Sequence, residues 1–167
     1  MLEISKSSRH SKITGDFAEA LVLYWLSKYG IECARVDHVG MDLIARRQST
    51  KRPMGISVKS RSRNPGKEGT YLSIPNDNFQ KLQTACDAFG CEPYFAMVVD
   101  ESDRIDVDES DRIDVYVLTA KLLQEIHPQR ERVSSWKLSA RWRKIYEDHS
   151  GIVKFSFASK TDHWFND

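Results

Sequence analysis

Apolar residues recur along the chain with two periods, and the switches between them mark the elements. From Thr14 to Tyr29 the spacing is helical, with Thr14 placed to cap the helix and Gly30 to stop it. Phe17, Leu21, Tyr24 and Trp25 fall on one side of that helix and Val22, Leu23 and Leu26 on the other, which predicts a helix buried between layers. Three strands are predicted next, at Ile31–Asp37, Met41–Arg47 and Met54–Arg63, separated by a His38-Val39-Gly40 turn and a polar loop over 48–53. A loop over 64–69 leads to a short strand, Thr70–Ile74, and to a helix from Asn76 to Gly90 with Phe79, Leu82, Ala85 and Phe89 on its apolar stripe. Pro93–Val99 and Asp114–Leu118 read as paired strands, Thr119–Ile126 as a short helix and Ile152–Ala158 as an added edge strand. Arg130–Asp148 mixes Trp136, Trp142 and Tyr146 with six basic residues and shows no single period. The pattern is that of an α/β chain.

Composition narrows the class. The 167 residues are enough for one domain with a sizeable core, and 40% apolar with 29% charged is ordinary for a soluble globular protein. No run approaches the ~18 apolar residues of a membrane span, and the first residues carry no apolar signal-peptide core, so a cytoplasmic location and no membrane partner are expected. Cys33, Cys86 and Cys91 are odd in number and lack a C-x-x-C spacing, which argues against a disulfide framework or a zinc site. The five histidines form no metal-ligand spacing either. Residues 1–12 are polar and serine-rich and read as a flexible N-terminal arm, leaving 13–167 as a single domain.

The net charge of +1 conceals an asymmetry. The octapeptide Asp-Glu-Ser-Asp-Arg-Ile-Asp-Val occurs at 100–107 and again at 108–115, so this acidic hairpin holds eight acids and two arginines. The rest of the chain has 23 basic and 16 acidic residues. Eight is an even number, so the second copy preserves which side chains of the following strand face the core. The most basic stretch, Leu43 to Lys67, contains Arg46, Arg47, Lys51, Arg52, Lys59, Arg61, Arg63 and Lys67 and no acid. Such a stretch attracts a polyanion, or else forms a solvated basic face.

Within it lies the candidate chemistry. Asp42 opens the second strand. On the third, Ile56 and Val58 point one way and Ser57 and Lys59 the other. A lysine in an apolar strand calls for a partner, and Asp42 on the neighbouring strand is a natural one, with Glu19 on the preceding helix as a second carboxylate. Each has a plainer role open to it. Asp42 can cap the turn, Lys59 can snorkel from an edge strand, and Glu19 can pair with a surface arginine. Trp136 and Trp142 suit either base stacking or core packing.

Taken together, Gly15-Asp-Phe-Ala-Glu19, Gly40-Met-Asp42-Leu-Ile-Ala and Gly55-Ile-Ser57-Val-Lys59-Ser resemble the PD-(D/E)-x-K nuclease superfamily, most of all the archaeal Holliday-junction resolvases and restriction-endonuclease-like proteins. The resemblance covers roughly residues 13–100. It implies a restriction-endonuclease-like αβββαβ core, with a central mixed sheet flanked by helices. It also implies a metal-dependent endonuclease that hydrolyses DNA phosphodiester bonds with Mg2+ or Mn2+, often as a homodimer. Carried over by position, Asp42 and Glu19 are metal ligands with the Val58 carbonyl, and Lys59 is the catalytic lysine. Ser57 stands where the family has a second acid, and Met41 where its name has proline. Ser60, Arg61, Arg63, Arg46 and Lys67 are the expected nucleic-acid contacts. Ser57 opens an alternative, a catalytically degenerate nucleic-acid-binding protein on the same fold. A third reading is a protein-interaction module that uses the acidic hairpin.

Overall fold

The computed structural model describes residues 6–63, 69–102 and 110–160. Helix α1 (His10–Lys28) is followed by strands β1 (Glu32–His38), β2 (Met41–Arg46), β3 (Met54–Ser62) and β4 (Tyr71–Pro75). Then come α2 (Asn76–Phe89), β5 (Glu92–Ser102), β6 (Ser110–Thr119), α3 (Ala120–Ile126), β7 (Val133–Lys137), α4 (Ala140–Asp148) and β8 (Val153–Lys160). The expected αβββαβ order is present, with the short β4 inserted before α2. Six strands form one mixed sheet in the order β1-β2-β3-β5-β6-β8, and β4 pairs with β7 in a second sheet. Only β3 and β5 run parallel, because α2 returns the chain to the same end of the sheet.

Two apolar clusters sandwich the large sheet. Ala18, Val22 and Leu26 of α1 cover Leu43, Ile56, Ala96, Val98, Val115 and Val117 on one face. On the other, α2 (Phe79, Leu82, Ala85) packs over Phe95, Met97 and Val99, a layer that continues through Tyr116, Trp136 and Tyr146. Burying side chains of this size contributes about 1.5–3 kcal/mol each. Two glycines set how closely α2 approaches. A Cβ on Gly40, at φ +92°, would lie 2.5 Å from the backbone of Lys81, and one on Gly55 would lie 2.5 Å from Cys86 Sγ. The β1–β2 turn and the start of β3 are thereby pressed against α2, which places Asp42 and Lys59 beside it.

Several expectations need correction. Helix α1 begins at His10 rather than Thr14, because the Thr14 hydroxyl bonds back to the His10 carbonyl at 2.8 Å from inside the helix. Ahead of the helix, the Lys6 ammonium donates to Ser62 O at 3.0 Å and to Ser62 Oγ at 2.8 Å. Nor is α1 buried all round. Ala18, Val22 and Leu26 are buried while Phe17 and Tyr24 stand about half exposed, since only one sheet face covers the helix. Arg130–Asp148 resolves into β7 and α4. β7 finds its hydrogen bonds in β4, some 60 residues earlier, which no local period reveals. Trp136 belongs to the core, stacked on Tyr146 at 3.8 Å, and Trp142 packs on His127. The acidic repeat continues β5 and β6 as one antiparallel pair with Asp100 opposite Ile113, and its tip, 103–109, lies outside the described residues. No helix among the described residues is long and apolar enough to cross a membrane.

Candidate active site

Strands β2 and β3 are ladder partners only from Leu43↔Ile56 to Ala45↔Met54. Just beyond, the Asp42 carboxylate takes the place of a backbone acceptor. Its Oδ2 receives the Val58 N–H at 2.6 Å and lies 3.4 Å from Ser57 Oγ. Ser57 is 2% exposed, so its hydroxyl faces the carboxylate with little access to water. β3 is an interior strand, which removes the edge-snorkelling role for Lys59.

Lys59 lies opposite Met97, and Ser57 opposite Phe95, on the face that α2 covers. Burial lowers the pKa of Lys59. Asp42, and then Asp77 at the start of α2, partly restore the charged form, while Lys81 opposes it. Glu19 comes from α1 on the other side. Its pKa is raised first by burial and next by the charge of Asp42. The Arg35 guanidinium, 3.8 Å away on β1, works in the opposite direction. Asp42 is therefore in electrostatic contact with both the helix carboxylate and the strand lysine. Both partners proposed for Glu19, a site carboxylate and an arginine, are in place together.

The remaining candidates divide. Ser60 follows on β3, opposite Val98. Arg61 is committed to the fold, since its Nη1 donates to Tyr71 O at 2.9 Å and its guanidinium lies against Gly69. Arg63 is half-buried, and its backbone N–H bonds Asp100 O. Arg46 sits at the far end of β2, opposite Glu32 and ~13 Å along the strand from Asp42. Lys67 lies outside the described residues. Asp37, a further acid on β1, is exposed and is not among the charges that act on Glu19 or Lys59. His38 leans edge-on against Phe89. Sequence reasoning missed Arg35 and Asp77. Arg35 is legible only once β1 is registered against β2, opposite Leu43, and Asp77 only once the N-terminal end of α2 is placed beside β3.

Two carboxylates, a hydroxyl and the Val58 carbonyl are all hard oxygen donors, although the described residues contain no group of three or more Asp, Glu, His or Cys side chains suited to a metal. The burial of Glu19 next to the Asp42 charge is a like-charge strain that a cation between them relieves. The donor set thus fits one hard divalent ion held by a pair of carboxylates, the arrangement Mg2+ commonly takes when water and substrate phosphate complete its shell.

No family model matches the chain. No match to a curated protein was found. The structure is similar to that of Archaeoglobus fulgidus Hjc, a Holliday junction resolvase from an archaeal hyperthermophile, with a TM-score of 0.53 and 20% sequence identity over 78% of this chain and 88% of that one. The likeness shows the fold, an α/β restriction-endonuclease-like core.

Proposed function

We propose that this protein is a metal-dependent endonuclease that hydrolyses DNA phosphodiester bonds at Asp42, Glu19 and Lys59. One observation carries the reading. Asp42, at the end of the β2–β3 ladder, couples electrostatically to Glu19 on α1 and to Lys59 on β3, in a fold shared with a Holliday junction resolvase. Asp42 and Glu19 would hold the ion, with Ser57 and the Val58 carbonyl as neutral donors. When bound, Mg2+ or Mn2+ polarises the phosphate and makes water a better nucleophile. Lys59 lies within the electrostatic reach of the same carboxylate, and its role is to stabilise the negative charge of the transition state and orient the attacking water. The acid-free stretch around β3 draws the polyanion in. A homodimer suits a substrate with two strands, since one such site cuts one strand.

The test is incubation with linear, branched and single-stranded DNA in Mg2+ or Mn2+, beside Asp42→Asn and Lys59→Ala. Cleavage that survives both substitutions sinks the site. A second reading, a nucleic-acid-binding protein without cleavage, is favoured by buried Ser57 in the position of an acid. Affinity for DNA with no cleavage in either metal would select it.

A further inference from the structure

A cleft of about 490 Å³ opens between the start of α1 and the last residues of β3, with no aspartate or glutamate among the described residues that line it. Ser60 and Arg61 form the strand wall, and Lys6, His10, Ser11 and Thr14 face them from the first described residues and the start of α1. The charges are held in place. Lys6 bonds Ser62 twice, which leaves one ammonium hydrogen, and Arg61 is fixed through Tyr71 O with its other guanidinium hydrogens to spare. Behind Ser62, Asp100 accepts its hydroxyl proton at 2.9 Å, which orients the Ser62 oxygen toward Lys6. The hydroxyls of Ser8, Ser11 and Ser60 make no hydrogen bond among the described residues. Anchored cations and spare hydroxyl donors, with no acid among the described lining residues, suit a phosphate oxygen better than a metal ion or an apolar ligand.

Position extends the argument. Ser62 is three residues beyond Lys59 on β3, ~10 Å at the rise of a strand. Thr14 is five residues before Glu19 on α1, ~7.5 Å along the helix. The cleft therefore begins one short step from the Asp42 site on both of its walls. At the ~3.4 Å rise per nucleotide of one DNA strand, that step is a few nucleotides.

Resting on the nuclease reading, we propose that this cleft binds a backbone phosphate of the substrate strand, a few nucleotides from the bond to be cut, with Lys6, Ser11 and Ser60 as its contacts. It fixes the register of the strand and carries no base preference.

Ser11 is exposed, so Ser11→Asp puts a carboxylate in the cleft without disturbing the core, and Ser60→Ala removes one donor. Binding of a short fluorescent oligonucleotide is followed by anisotropy across a salt series without metal, and cleavage is assayed separately with Mn2+. Ser11→Asp raises Kd about tenfold, alike for different base sequences, and lowers the salt slope by about one. Ser60→Ala raises Kd about threefold. Unchanged affinity and salt slope in both variants overturn the proposal. So does a site that loses only inorganic phosphate, followed by phosphorus NMR, while DNA binding stays at the parental level. If the parent binds but never cleaves, while Ser11→Asp still weakens binding, the nuclease reading falls and the cleft stands.

Discussion

The Asp42 carboxylate accepts the Val58 backbone N–H at 2.6 Å where the β2–β3 ladder ends. One side chain thus closes the strand pair and presents a charge to Glu19 and Lys59. Asp42→Asn keeps an acceptor for the amide and loses the charge. Cleavage should fall by about two orders of magnitude or more, equivalent to ~2.7 kcal/mol of lost transition-state stabilisation. Melting should move by only a few degrees. The check is a nicking assay with a thermal melt on the same sample. Full activity in the asparagine variant would remove Asp42 from the chemistry.

Lys59 supports a prediction of opposite sign for stability and activity. Burial holds its pKa below the usual lysine value of 10.5. In the window between the lowered folded value and 10.5 the unfolded chain binds more protons, so stability rises with pH there. Below that window the buried charge is a constant cost. Lys59→Met should therefore melt higher than the parent at neutral pH and abolish cleavage, with the stability difference narrowing as pH approaches 10.5. A lower melting point at pH 7 would show that attraction to the Asp42 charge outweighs burial.

Ser57→Glu restores the acid that the resemblance leads one to expect, in a place only 2% exposed and beside Asp42. Without metal, the added buried charge should destabilise the fold by about 1–3 kcal/mol. With excess Mn2+ that loss should be recovered, because a ligand that binds only the folded state stabilises it by mass action. Calorimetric titration should find tighter Mn2+ binding than in the parent. A variant that ignores Mn2+ in both measurements would place the ion elsewhere.

Removing residues 108–115 tests the repeat. The present register puts Glu101 opposite Arg112 and Asp100 opposite Ile113. After the deletion Arg104 and Ile105 take those positions, and Ser102-Asp103 becomes a two-residue hairpin connection. Asp106 inherits the place of Asp114, which is fully buried and bonded to Arg112 and Ser156. Stability should stay within about 1 kcal/mol of the parent, since shortening a loop changes its closure entropy slowly. Loss of cooperative unfolding in a urea titration would show that both copies are required.

His127 predicts an acid limb. Burial, and then the Lys137 charge, pull its pKa down to about 4 from 6.5. Its Nε2 lies 2.7 Å from the Tyr146 hydroxyl, which itself donates to Lys137 O. The folded state keeps the ring neutral while the unfolded chain protonates it, so stability falls as pH drops from 6.5 to 4 and levels off below. His127→Phe should flatten that interval in a series of thermal melts. An unchanged acid limb would assign it to the carboxylates.

Much of this was legible in the chain itself. Alternation along Ile56-Ser57-Val58-Lys59 correctly separated the α1 face from the α2 face, because strand side chains alternate whatever the neighbours are. Glu19, Asp42 and Lys59, singled out by their order along the chain, come within electrostatic reach of one another through Asp42. The start of α1 was not legible, because Thr14 has the composition of a cap and the hydrogen bond of an interior residue.

What the sequence by itself determined is local, namely the period of each element, the even length of the repeat and the acid-free run around β3. Tertiary structure decided what depends on distant partners. It ended the β2–β3 ladder at Leu43 so that Asp42 meets Val58, paired β7 with a strand some 60 residues earlier, and drew Lys6 onto Ser62. It also fixed Arg61 in place through Tyr71 O, although spacing along the chain suggests a loose surface cation. The physical reason is the same in each case. A charge or a backbone donor is satisfied by whichever group the packed sheet and helices bring within about 3 Å, and spacing along the chain does not encode that distance.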